Sequence, residues 1–291
     1  MTMPAASNSP TGARSRVPGL DNAIAFIGGG NMARSLIGGL VSRGRPATAI
    51  RVAEPVAALR DALQQDFGVH CAEHASAAAE GADVWVLAVK PQVMREVCTA
   101  LLPLAQARRP LVVSIAAGIT TAQLERWLGG DLPVVRAMPN TPALLGAGIT
   151  GLFANARTDA AQRADADELL QAVGPTVWID DEATMDAVTA VSGSGPAYVF
   201  LLAEAMQAAG VAQGLSPDAA RALVQQTLLG ASTMLVEQSE PADVLRARVT
   251  SPGGTTQAAI ETFEAGGFRE LVDRAIAAAT ERGRQLSAAN D

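Results

Sequence analysis

Short apolar runs alternate with longer stretches carrying an apolar residue every three or four positions through the first half of the chain. Ile24–Ile27 (IAFI), Ala49–Ala53, Ala82–Val89 (ADVWVLAV), Leu111–Ile115 (LVVSI) and Val134–Ala137 read as strands, and the third is apolar throughout, as a strand covered on both faces must be. A helix through Met32, Leu36, Ile37 and Leu40 and helices over Leu59–Phe67, Val93–Leu104 and Thr121–Leu128 fall between them. This order predicts a doubly wound, mostly parallel α/β sheet. Ile149–Phe153 and Thr176–Ile179 read as two more strands that extend the sheet antiparallel.

After Asp180 the strand signal stops. Ala183–Val191, Ala197–Gln213, Ser216–Glu237, Ala242–Val249, Thr256–Ala265 and Phe268–Leu286 all carry helical periodicity, and Ser216–Pro217 is a helix-start signature. These helices are apolar around much of their circumference, as in Leu223, Val224, Leu228, Leu229, Met234 and Leu235. An all-α domain of about 105 residues has too little interior to hide that surface, which predicts helix packing with a second copy of the chain. The expected organisation is a tail over 1–20, an α/β domain over 21–182 and a helical domain over 183–291.

Composition narrows the class. Of 291 residues 49% are hydrophobic and 18% charged, which suits a packed globular chain. A net charge of −7 argues against a nucleic-acid partner, which needs a basic face. No run is long and apolar enough for a membrane span; Tyr198–Val211 is too short and carries Glu204. The tail, rich in Ala, Ser, Pro and Gly, has no apolar signal-peptide core. Cys71 and Cys98 are too few for a disulfide framework or metal site and read as free thiols of a cytoplasmic protein. Trp85, Trp127 and Trp178 lie in apolar contexts and read as core.

The chemistry concentrates in turns. Gly28, Gly29, Gly30, Asn31, Met32 and Ala33 lie between the first strand and the first helix in the G-x-G-x-x-A form of the dinucleotide fingerprint. Glu54 ends the second strand about 20 residues on, where an acid accepts from ribose hydroxyls. The alternative is a purely structural strand-to-helix turn. Later strand ends supply the remaining wall of such a pocket: Ala88, Val89, Lys90 and Pro91; Ala116 and Ala117; and Asn140 with Thr141 between two prolines. Lys90 can offset a phosphate or a carboxylate or be an ordinary surface lysine. Asn140 can hold an amide or stiffen its turn.

In the second half, Ser251, Pro252, Gly253, Gly254, Thr255 and Thr256 form a turn that runs into a helix, where free N–H groups and a helix dipole favour an anion. A capped turn is the plain alternative. Ser192–Pro196 (SGSGP) reads as a turn between helices, capped by Ser194, or as close backbone approach to a pocket. Lys90 is the only lysine and His70 and His74 are the only histidines, so chemistry in the helical domain proceeds without either side chain.

Taken together, FIGGGNMA from Phe26, AVKP from Ala88, SIAAG from Ser114, RAMPNTPAL from Arg136, VSGSGPAYVF from Val191 and VTSPGGTTQAAIETFEAGGFR from Val249 resemble the pyrroline-5-carboxylate reductases, over about Ile24–Leu286. The resemblance implies a Rossmann domain followed by a helical dimerisation domain and reduction of 1-pyrroline-5-carboxylate to L-proline with NAD(P)H. It implies a homodimer through the helical domain, alone or as the unit of a larger ring. Ser251, Gly253, Gly254, Thr255 and Thr256 then form the substrate loop, with Thr256 facing the imine and Glu182 as an acid near the substrate nitrogen. Glu54 departs from members that prefer the 2′-phosphate and leans the cofactor towards NADH. No metal is expected. The lack of Lys and His favours a C=N substrate, because a cyclic imine can arrive protonated whereas a ketone needs an acid. The alternatives are a reductase of another small imino or keto acid, with Tyr198 as acid, and a non-catalytic nucleotide-binding redox sensor.

Overall fold

The computed structural model describes residues 22–290, so the tail expected at 1–20 lies outside the described residues. The first part of the chain runs β1 (Ile24–Ile27), α1 (Asn31–Ser42), β2 (Ile50–Ala53), α2 (Ala57–Phe67), β3 (His70–Ala72), α3 (Ala75–Ala79) and β4 (Val84–Leu87). It continues with α4 (Pro91–Arg108), β5 (Leu111–Ser114), α5 (Thr121–Trp127), β6 (Val134–Met138), β7 (Thr150–Ala154), α6 (Ala160–Gln171) and β8 (Thr176–Trp178). One sheet holds all eight strands in the order β3-β2-β1-β4-β5-β6-β7-β8. The first six are parallel, β7 is antiparallel to β6, and β8 is parallel to β7. The strand order reverses between β1 and β4, which opens a crevice beyond their carboxyl ends.

Each face of the sheet has its own apolar core. Phe26, Leu36, Ile37 and Leu63 sit in one, Trp85, Leu87, Met94 and Leu124 in the other, and all are essentially inaccessible. Burying side chains of this size contributes roughly 1.5–3 kcal/mol each. Trp127 joins the second core, while Trp178 is half-buried with the Arg163 guanidinium 4.7 Å above its ring. Cys98 is fully buried and burial pushes its thiol up to about 12; burial also raises Cys71.

Three elements lacked a sequence expectation. β3 has only three residues and α3 is almost all alanine, so neither has a readable period. α6 did carry a signal: Asp159 accepts from Gln162 N–H at 2.8 Å while the Gln162 side chain caps Asp159 N–H, the capping box of a D-x-x-Q start.

Beyond β8 the chain is helical: α7 (Met185–Val188), α8 (Gly195–Ala212), α9 (Pro217–Glu237), α10 (Ala242–Arg248), α11 (Thr255–Ala265) and α12 (Phe268–Ala289). The turn expected at Ser192–Pro196 is not there. A π-helical turn over Thr189–Gly193 joins α7 to α8, and Ser194 keeps helical backbone with no capping bond. Gly193 lies against the end of β6: a methyl there would come within 2.7 Å of the terminal carbon of Met138. α8 and α9 form a hairpin, and α12 returns to pack beside α7 and the π turn. Among the described residues no helix is long and apolar enough to cross a membrane.

Candidate active site

Two of the strand-end loops named from sequence meet at the crevice. Gly28 has φ +106°, and a methyl there would meet Ala88 O at 2.7 Å, so the turn after β1 lies directly against the turn after β4. Gly30 is the N-cap of α1 without a side-chain cap, and a methyl on it would meet nothing within 4 Å. The first intrahelical bond is Arg34 N–H to Gly30 O, which leaves the N–H groups of Asn31, Met32 and Ala33 at the open end of the helix dipole. The space and the donors fit a dinucleotide pyrophosphate.

Glu54 is more tightly held than its position at a strand end suggests. Its Oε2 accepts from Gly29 N–H at 2.9 Å, its Oε1 from Val56 N–H at 3.0 Å, and the side chain is 7% exposed. The Arg60 guanidinium bonds to the carbonyls of Glu54 and Pro55 at 2.7 and 2.8 Å. The carboxylate is therefore a fixed negative charge beside the fingerprint turn.

Lys90 is exposed at the N-cap of α4, one residue before Pro91. Ala116 is buried and Ala117 half-buried where β5 turns towards α5. The Asn140 side chain is committed within its own region, donating to Ser192 O at 3.2 Å and accepting from Ile149 N–H at 3.0 Å. Of its two sequence readings, the stiffened turn is the one this geometry describes.

The Ser251–Thr256 turn is largely exposed. Two of its N–H groups are occupied: Gly253 donates to Gln257 Oε1 at 2.7 Å and Gly254 to Ser251 O at 3.0 Å. Ala258 N–H makes the first intrahelical bond of α11, to Gly254 O, and Gly254 provides no side-chain cap. The open donors are thus the N–H groups of Thr255 and Thr256 at the end of the turn and of Gln257 just beyond it, with the Thr255 and Thr256 hydroxyls beside them. Among the described residues no hydrogen bond joins this turn to the sheet domain.

Glu182, expected as an acid near the substrate nitrogen, is engaged at the domain junction. Both oxygens of Glu182 accept from Thr121, Oε1 from the N–H and Oε2 from the hydroxyl, each at 2.7 Å, and Arg136 Nη1 lies 3.7 Å from Oε1. Each oxygen of the Glu182 carboxylate is thus engaged at the start of α5, beside the Arg136 guanidinium. Tyr198 is also engaged, its hydroxyl donating to Ala190 O at 3.1 Å. Sequence reasoning passed over Arg136 and Asp186, and a charged residue inside the apolar run VVRAM was the available signal.

Comparison with known proteins places this geometry. Residues 182–286 match the family model for pyrroline-5-carboxylate reductase dimerisation, and residues 23–118 match that for NADP oxidoreductase, coenzyme F420-dependent. A pyrroline-5-carboxylate reductase of Pseudomonas aeruginosa is 55% identical over 265 residues, 91% of this chain and 96% of that protein. The solved structure of such a reductase from Coxiella burnetii superposes with a TM-score of 0.89 at 43% identity, covering 91% of this chain and 98% of that one. A Plasmodium falciparum pyrroline carboxylate reductase solved with NADP bound reaches 0.80 at 28% identity, covering 92% and 98%.

Proposed function

The chain belongs to the pyrroline-5-carboxylate reductase family, and from that premise we propose how its own residues reduce 1-pyrroline-5-carboxylate to L-proline with NAD(P)H. The observation that carries the reading is the start of α11: three backbone N–H groups without an acceptor, beside the Thr256 hydroxyl, in a domain without lysine or histidine. Such a helix start grips a carboxylate through backbone dipoles. Thr255, Thr256 and Gln257 provide the open donors, while Ser251 and the two glycines shape the turn and keep side chains out of the way. Gly253 joins the donors once the Gln257 carbonyl leaves it.

The Thr256 hydroxyl hydrogen-bonds the ring nitrogen. No strong acid is needed, because a cyclic imine carries its own proton and reduction leaves a neutral amine. A reduced nicotinamide bound at the crevice supplies the hydride. The chain's contribution is placement: Gly28, Gly30, Asn31 and Met32 seat the pyrophosphate, Ala88, Val89, Lys90, Pro91, Ala116, Ala117 and the Asn140 turn wall the rest, and orientation provides most of the rate. Glu54 accepts from the ribose hydroxyls and leans the choice to NADH, since its carboxylate cannot swing away without abandoning Gly29 and Val56.

The chain oligomerises through a dimerisation domain, and the finer reading is a homodimer whose exposed helical faces meet, closing each site. Two unpaired cysteines favour a reducing, cytoplasmic setting. The test is Thr256→Ala: kcat/KM for the imine should fall by about 1–3 kcal/mol with dinucleotide affinity intact, as for one lost buried hydrogen bond. Unchanged turnover removes Thr256 from the reaction.

A further inference from the structure

A buried arginine spans the junction between the two domains. Arg136 lies on β6 at 3% exposure, with Nη2 at 3.3 Å from Asp186 Oδ1 and Nη1 at 3.7 Å from Glu182 Oε1. Glu182 in turn holds Thr121, the first residue of α5, by two 2.7 Å bonds. One end of the guanidinium therefore grips the loop between β5 and α5, and the other grips the start of the helical domain. Asp186 stands against α12: a methyl on Gly283 would meet its Cβ at 3.1 Å and its Oδ1 at 3.2 Å. The last turn of α12 then reaches the same loop directly, with Gln123 Nε2 donating to Ser287 O and Asn290 Nδ2 donating to Gly118 O, both at 3.2 Å. Ala116 and Ala117 lie at the head of the loop that these contacts hold from two sides.

Stability alone is a poor reason for this arrangement. Burying one guanidinium between two carboxylates costs desolvation that an apolar packing of the same volume avoids. The planar fork does give fixed geometry, since two donor ends in one rigid plane set both carboxylates relative to each other.

We propose that Arg136 is a positioning residue: through Glu182 and Asp186 it locks the Ala116–Thr121 loop and the helical domain into one register, and the C-terminal turn of α12 completes the lock through Asn290. The proposal rests on the assignment of Ala116 and Ala117 to the cofactor wall. It makes the far C-terminus of the chain a determinant of dinucleotide binding.

The test uses the full chain carrying Arg136→Lys, whose single ammonium cannot serve both carboxylates as the fork does, and Asn290→Ala, at an accessible helix end where folding is not at stake. NADH affinity is read by fluorescence and steady-state kinetics are run with each substrate varied, after circular dichroism shows native helix content. Arg136→Lys should raise the KM and Kd for NADH about tenfold, and Asn290→Ala about threefold, with kcat held within about twofold. NADH constants equal to wild type in both folded variants overturn the proposal. Gly30→Ala, run in parallel, separates that outcome from failure of the cofactor assignment. A methyl there has room in the chain but intrudes on the pyrophosphate, so unchanged NADH affinity in Gly30→Ala sinks the assignment and the positioning role together.

Discussion

The sheet domain and the helical domain are made from comparably apolar sequence and dispose of it in opposite ways. In the first, Phe26, Ile37, Trp85, Leu87 and Met94 are closed off between the sheet and its two layers of helices. In the second, α8, α11 and α12 contain no buried residue at all, and Phe200, Leu201, Leu229 and Leu235 stand 63%, 66%, 61% and 52% exposed. A surface of that extent is an interface. The two halves of the site follow the same division. In the crevice proposed for the cofactor, the Gly28 turn presses on Ala88 and Glu54 is pinned within one chain, whereas the turn proposed for the substrate stands open on the helical side. One region carries its structure in its own core; the other carries it in a surface that a second subunit covers.

Three substitutions sharpen that contrast. Phe26→Ala empties a fully buried site in the closed region and should cost about 3–5 kcal/mol, read by denaturant unfolding, with a midpoint shift of the sheet domain that does not depend on protein concentration. Leu201→Glu puts a charge into the face assigned to the second subunit and should weaken association by about 2–4 kcal/mol. Light scattering should show monomer at micromolar concentration with near-native helix content, and turnover should recover as concentration rises. A Leu201→Glu protein that stays dimeric and active removes the contrast. Glu54→Ser acts within the closed region and should leave both fold and assembly alone. It should raise the ratio of kcat/KM for NADPH over NADH about tenfold, because the fixed carboxylate facing a 2′-phosphate is gone.

What could be read from sequence follows the same line. Strands such as VWVL and LVVS are buried on both faces, so period and burial coincide and their bounds come out within a residue or two. The turn chemistry was equally legible, because Gly28 is required by its backbone geometry, and Gly30 follows it at the spacing of the fingerprint. The SGSGP stretch misled because glycines and a proline signal a turn, while here a π-helical turn runs almost directly into α8 and Gly193 lies against Met138. Glu182 is hard to read for a related reason. A lone acid between domains has no local pattern that tells a reactive carboxylate from one tied to Thr121 and Arg136 across more than forty positions of chain. Long-range polar networks leave almost no periodic trace.

The most direct test is steady-state oxidation of NADH and of NADPH with 1-pyrroline-5-carboxylate, run beside a small 2-keto acid. Turnover of the imine with both cofactors, a higher kcat/KM for NADH and no turnover of the keto acid is the expected result. No oxidation of either cofactor by the imine contradicts it.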